Sequence, residues 1–165
     1  MRTDPRRFVV LGAALAALAW APAFAGSAML DPKVGFVMEP EHARDLIPQC
    51  SRAAPQNVGD VWTPTAAQIA ELEARLPEAV TRAQPDVRNG YGRQYAGFVI
   101  AGKKLIYVNA FPRDVLGDDF GKNPSLWTKA THQAVMVCDG GHDFFGVLYD
   151  PGTKTFSQFA FNGFA

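Results

Sequence analysis

Apolar residues recur along this chain with two different periods, and the change between them divides it. Ile69, Leu72, Leu76 and Val80 follow at spacings of three, four and four, which puts them on one stripe of a helix. Thr63 with Pro64 at the first helical position, or Thr65 with Gln68 as a capping box, starts that helix, and Glu71 and Arg75 pair on its wet side. Pro77 lacks an N–H and its ring crowds the preceding turn, so a kink or split is expected there, with the chain out of helix by Pro85.

After the turn-rich loop Asp86 to Gly92 the period falls to two. Arg93 to Ile100 and Lys104 to Phe111 read as strands joined at Ala101-Gly102-Lys103. Tyr95, Gly97 and Val99 alternate with Gln94, Ala96, Phe98 and Ile100, so both faces are rather apolar and the hairpin should be central or covered by the helix. Pro112 to Ser125 is a long loop, either a solvated connection or a functional one, and Leu126 and Trp127 lead out of it. Three more strands are expected at Gln133 to Cys138, Phe144 to Tyr149 and Lys154 to Phe161, with turns at Asp139-Gly140-Gly141 and Asp150-Pro151-Gly152-Thr153. One helix and a local meander predict an α+β domain over residues 62–165, with the helix laid across an antiparallel sheet of four to five strands. Residues 26–61, punctuated by Pro32, Pro40, Pro48 and Pro55, read as an irregular N-terminal arm with a turn or two of helix at Glu41 to Ile47.

The first 25 residues do not belong to this pattern. Arg2, Arg6 and Arg7 precede the apolar run Phe8 to Trp20, and Ala23-Phe24-Ala25 forms a small-x-small cleavage site, the arrangement of a signal peptide. A run of about 13 residues is too short to cross roughly 30 Å of hydrocarbon, so the expected product is periplasmic or secreted, without a membrane span after cleavage. Proline before Arg6-Arg7 favours the general secretory route over the twin-arginine one. Cleavage leaves 13 basic and 15 acidic residues, a balance that argues against a nucleic-acid partner. In an oxidising compartment the two cysteines, Cys50 and Cys138, are most simply one disulfide tying the arm to the sheet.

Chemistry-bearing residues are sparse. Asp139, His142 and Asp143 crowd two glycines, and with His132 upstream they define a candidate metal set of His132, His142 and Asp143; a hairpin turn needs the same Asp and Gly residues for backbone reasons alone. Ser125 and Ser157 lack a Gly-x-Ser-x-Gly context, Cys138 is expected to be oxidised, and Asp118-Asp119 are adjacent loop carboxylates of the kind that are usually solvated, so no catalytic residue is assigned. No cofactor is implied. Phe144, Phe145, Tyr149, Phe156, Phe159, Phe161 and Phe164 exceed what one face of a small sheet requires, and any that point outward would make a binding patch. Candidate contact surfaces are the hairpin tip Gly102, Lys103 and Lys104, the turn Asp139, His142 and Asp143, and the Pro112 to Ser125 loop.

The segments Cys138-Asp139-Gly140-Gly141, Phe145-Gly146-Val147, Tyr149-Asp150 and Phe161-Asn162-Gly163, together with Tyr107 to Phe111, resemble a family of small exported proteobacterial proteins, over about residues 62–165. That resemblance implies export and brings no activity with it. A helix followed by the hairpin Phe98-Val99-Ile100-Ala101-Gly102 is similar to the cystatin arrangement, whose inhibitory hairpin reads Gln-x-Val-x-Gly; Phe98 stands at the glutamine and Ile100 at the valine. The expected function is therefore a non-catalytic binding module of the cell envelope with a protein or small-ligand partner. Its alternatives are a small metal-dependent or hydrolytic enzyme centred on His132, His142 and Asp143, and an inhibitor of an envelope hydrolase.

Overall fold

The computed structural model describes residues 35–84, 90–117 and 124–164, with the backbone alone for 124 and 126–128. The leader read in residues 1–25 and the Asp118-Asp119 pair lie outside them. Helix α1 spans Ala66–Ala83 and takes the second of the two predicted starts: the Thr65 hydroxyl accepts the Gln68 N–H, and the Gln68 side chain accepts the Thr65 N–H at 2.9 Å. Pro64 precedes the helix, and Pro77 sits within it without splitting it. The proline is on the exposed side, so its ring turns toward water while Leu76 and Val80 stay packed.

Six strands form one sheet: β1 Phe36–Val37, β2 Val58–Trp62, β3 Tyr91–Ile100, β4 Lys103–Pro112, β5 Phe145–Asp150 and β6 Thr155–Phe161. The order is β1-β3-β4-β5-β6, and β2 also pairs with β3. The predicted α+β class is therefore present, but the sheet is mixed rather than wholly antiparallel, because Phe36 and Val37 run parallel to Gln94 and Tyr95. Part of the segment read as an irregular arm is thus sheet: β1 and β2 share the outer edge of β3 end to end. The β3–β4 hairpin is central, as both its apolar faces predict. Its turn has only two residues, Ala101 at φ 49° and Gly102 at φ 76°, the twist that a right-handed hairpin favours; glycine adopts it freely and alanine under strain.

Helix α1 covers one face. Ile69, Leu72, Leu76 and Val80 pack on Tyr95, Ile106, Val108, Phe145, Val147 and Tyr149, each fully buried aliphatic side chain contributing about 1.5–3 kcal/mol. Glu73 reinforces that contact: it accepts from the Tyr95 hydroxyl at 2.5 Å and pairs with Arg93 at 2.5 Å. Burial, and next the Glu73 charge, hold the Tyr95 phenol well above its ordinary range. The Arg93 guanidinium is raised in turn; burial opposes the shift, and Tyr95 and Glu73 together outweigh it.

The opposite face is covered by two irregular segments. Met38, Ala43 and Leu46 lie on Ala96, Phe98, Tyr107 and Leu148. Beside them runs helix α2, Pro124–His132, where the sequence pattern gave a loop leading to a strand. Gln133 to Cys138 follows it and is not a strand, a correction to the periodic reading; it crosses the outer face of the sheet instead of pairing at an edge.

Candidate functional site

What holds Gln133 to Cys138 on the sheet is a ladder of side-chain amides. Gln94 and Asn109 are direct cross-strand neighbours on β3 and β4, both almost fully buried. Gln94 Nε2 donates to the carbonyls of Ala130 and Gln133, each at 2.7 Å, and Gln94 Oε1 accepts the Val135 N–H at 2.8 Å and Asn109 Nδ2 at 3.0 Å. Asn109 Nδ2 also donates to the Val135 carbonyl at 2.9 Å, and Asn162 Nδ2 to that of Val137 at 2.5 Å. The strand expected from Val135 and Val137 fails to form because these side chains take the backbone groups a neighbouring strand would use.

Arg52 completes the ladder from the other covering segment. Its guanidinium donates to Asn162 Oδ1 at 2.9 Å and to Asn109 Oδ1, and only 8% of the residue is exposed. A buried cation received by amide oxygens is costly unless its hydrogen bonds are well made, so these contacts tolerate little displacement. Two residues from Arg52 and one from Val137, the disulfide Cys50–Cys138 joins the same two segments, with Cα atoms 5.0 Å apart, as the cysteine pair predicted.

Against this immobilised segment lies a cavity of about 280 Å³. One wall is Val115 and Leu116, on the short 3-10 turn Arg113–Leu116 that follows β4, and the other is the stretch from Lys129 to Val137. Its lining is aliphatic except for Lys129 and Gln133, and Val115 and Met136 are each 44% exposed at it. The backbone of the second wall is already spent. The carbonyls of Ala130, Gln133, Val135 and Val137 accept from the amide ladder, that of Lys129 from the Gln133 N–H, and that of Thr131 from the Glu39 N–H.

The predicted site residues do not converge. His132 ends α2, where Nε2 lies 2.8 Å from Glu39 Oε2 and the ring stands edge-on to His42 at 5.0 Å. His142 sits at the far side of the turn, with Nδ1 2.8 Å from Gln84 Nε2 and its ring between Phe161 and Phe164. Among the described residues no group of three or more His, Cys, Asp or Glu side chains can hold a metal, so His132, His142 and Asp143 do not form the set their spacing suggested. The ten intervening residues run across the sheet face rather than back along a strand, which carries the two imidazoles to different surroundings. His42, Glu39 and Asp45 gather near His132 and carried no signal in the sequence.

The candidate contact surface is likewise divided. Lys103 begins β4, and Ala110, toward its other end, pairs with Phe145 beside the Asp139 to Asp143 turn. Seven residues of strand separate the two ends by roughly 23 Å. At the tip, Lys104 Nζ lies 5.4 Å from the Trp62 ring centroid, an internal cation–π contact. At the turn, the Gly140 and Gly141 N–H groups donate to the Gly163 carbonyl, and the Asp143 N–H to that of Gly140. Most of the aromatics are core, yet Phe164 is 74% exposed. The cavity, Arg52 and the amide ladder were not foreseen; the signal available was Gln94 and Asn109, polar positions inside two otherwise apolar strands.

Comparison of the chain with protein families, with curated proteins and with solved structures gave no match. Among the described residues no helix is long and apolar enough to cross a membrane.

Proposed function

We propose that this protein is an exported, non-catalytic binding module of the cell envelope, and that the cavity between Val115-Leu116 and the Lys129 to Val137 stretch is its ligand contact. One observation carries the reading: an apolar cavity whose longer wall is fixed in advance by a disulfide and by a nearly saturated network of buried amides. A wall ordered before the ligand arrives does not have to be ordered by it, which lowers the entropic cost of binding. The leader pattern in residues 1–25 and the Cys50–Cys138 bridge both suit an oxidising compartment outside the cytoplasm.

The test uses a neutral apolar dye, Nile red, with the oxidised mature protein. Dye fluorescence should rise on binding, with backbone amide shifts concentrated at residues 115–116 and 129–137. Ala134→Trp, which fills the cavity, should abolish both effects, and Met136→Glu, at an exposed position, should weaken them in a protein that remains folded. Absence of dye binding, or equal binding by all three proteins, would sink the reading.

A further inference from the structure

Among the described residues lining the cavity, Lys129 is the one ionisable side chain. It is exposed, the pair Arg113 and Asp114 on the facing turn lies outside the lining, and no carboxylate lines the wall. An apolar enclosure with a single cation selects a ligand with an aliphatic body and one negative charge.

The hydrogen-bond inventory narrows the class further. Six successive or alternate carbonyls of the long wall, from Lys129 to Val137, already accept from protein donors. A polyol, or a peptide adding itself as a strand, brings many donors that need acceptors, and each donor buried without one costs about 1–3 kcal/mol. An alkyl chain brings none. The aliphatic side chains Val115, Leu116, Val135, Met136 and Val137 need only be covered, and Met136, unbranched and flexible, adapts to a chain of variable shape. The volume lies near the lower end of small-ligand sites, roughly 300–1,000 Å³, which fits one short or medium chain rather than a diacyl lipid.

From this we infer that the cavity binds a monoanionic, single-chain amphiphile of the aliphatic carboxylate class, with Lys129 as the partner of its charged head. The inference rests on the cavity being the ligand contact, as proposed above.

A head-group series at constant chain length tests it: decanoate, decanol and decyltrimethylammonium, each below its aggregation concentration, titrated by calorimetry and by amide chemical shifts. Decanoate should bind with shifts at 115–116 and 129–137, decanol more weakly, and the cation least. Lys129→Gln should reduce decanoate affinity roughly three- to tenfold and leave decanol unchanged, while Lys129→Arg should retain most of it. The position is exposed, so neither variant should disturb folding. If Nile red enters the cavity while the three head groups bind alike, or Lys129→Gln leaves decanoate affinity intact, the ligand class is overturned and the binding role survives. If neither dye nor decanoate shifts the cavity amides, both fall together.

Discussion

The two faces of the central hairpin are covered by opposite means. On the α1 side a regular helix lays four aliphatic residues on the sheet and adds one mostly buried triad, Glu73, Tyr95 and Arg93. On the other side irregular chain is held by Gln94, Asn109, Asn162 and Arg52 and by the Cys50–Cys138 bond. The first cover satisfies its own backbone and needs only apolar burial. The second cannot, so the sheet must supply its hydrogen bonds from side chains, and a covalent bond fastens it from outside. Irregular backbone can be shaped, and the cavity lies on that side.

The difference can be broken most severely at the disulfide. Cys50→Ser with Cys138→Ser should lower unfolding free energy by about 4–5 kcal/mol on the loop-entropy account, read by chemical denaturation. Hydrogen exchange should then accelerate first at residues 133–138 and only later in α1; simultaneous loss in both would show that the faces are one cooperative unit. Next, Leu72→Ala on the helical face should cost about 3 kcal/mol by the cavity it leaves, with exchange at 133–138 unchanged relative to global unfolding. Gln94→Leu should cost about 2 kcal/mol, since it strands the Val135 N–H and two carbonyls beneath their cover. Its amide shifts should spread along 130–137 and leave α1 still, and uniform shifts would contradict the division. Thr65→Ala removes the helix cap for about 1 kcal/mol, measured by thermal unfolding, with the outer face silent.

Alkali probes the helical face alone. Tyr95 is held above its ordinary range first by burial and then by Glu73, so the folded state keeps its proton more tightly than the unfolded chain does. Its contribution is therefore complete below about pH 10 and is lost as pH rises through the folded-state value. Stability measured by denaturant titration should decline above pH 10. Tyr95→Phe should flatten that decline without removing it, because the Tyr149 phenol is also raised, by burial and then by Glu71. An unchanged slope in the variant would refute the assignment.

How much of this was legible depended on whether a residue's role was local. The α1 stripe, the capping pair Thr65 and Gln68, the central hairpin and β5 and β6 follow from periodicity and turn chemistry acting within a few residues. The cysteine pair was legible because an oxidising compartment leaves two thiols few other fates. Val135 and Val137 misled because their propensity is that of a strand, while partners 26–41 residues away in sequence, Asn109, Asn162 and Gln94, captured the backbone first. The parallel strand β1 and the role of Arg52 were hidden for the same reason: Phe36, 58 residues before Gln94, carries no period of its own.

The candidate site shows that boundary most clearly. The sequence by itself determined an α+β domain, its main helix, its hairpins and its cysteine staple, since each is written in spacing, capping or turn residues. Only the tertiary structure decided that His132 and His142 part company, that 133–138 lies flat on the sheet, and that Lys129 borders an aliphatic cavity. Those outcomes depend on which distant side chain satisfies which backbone group, and that is settled when the chain closes on itself.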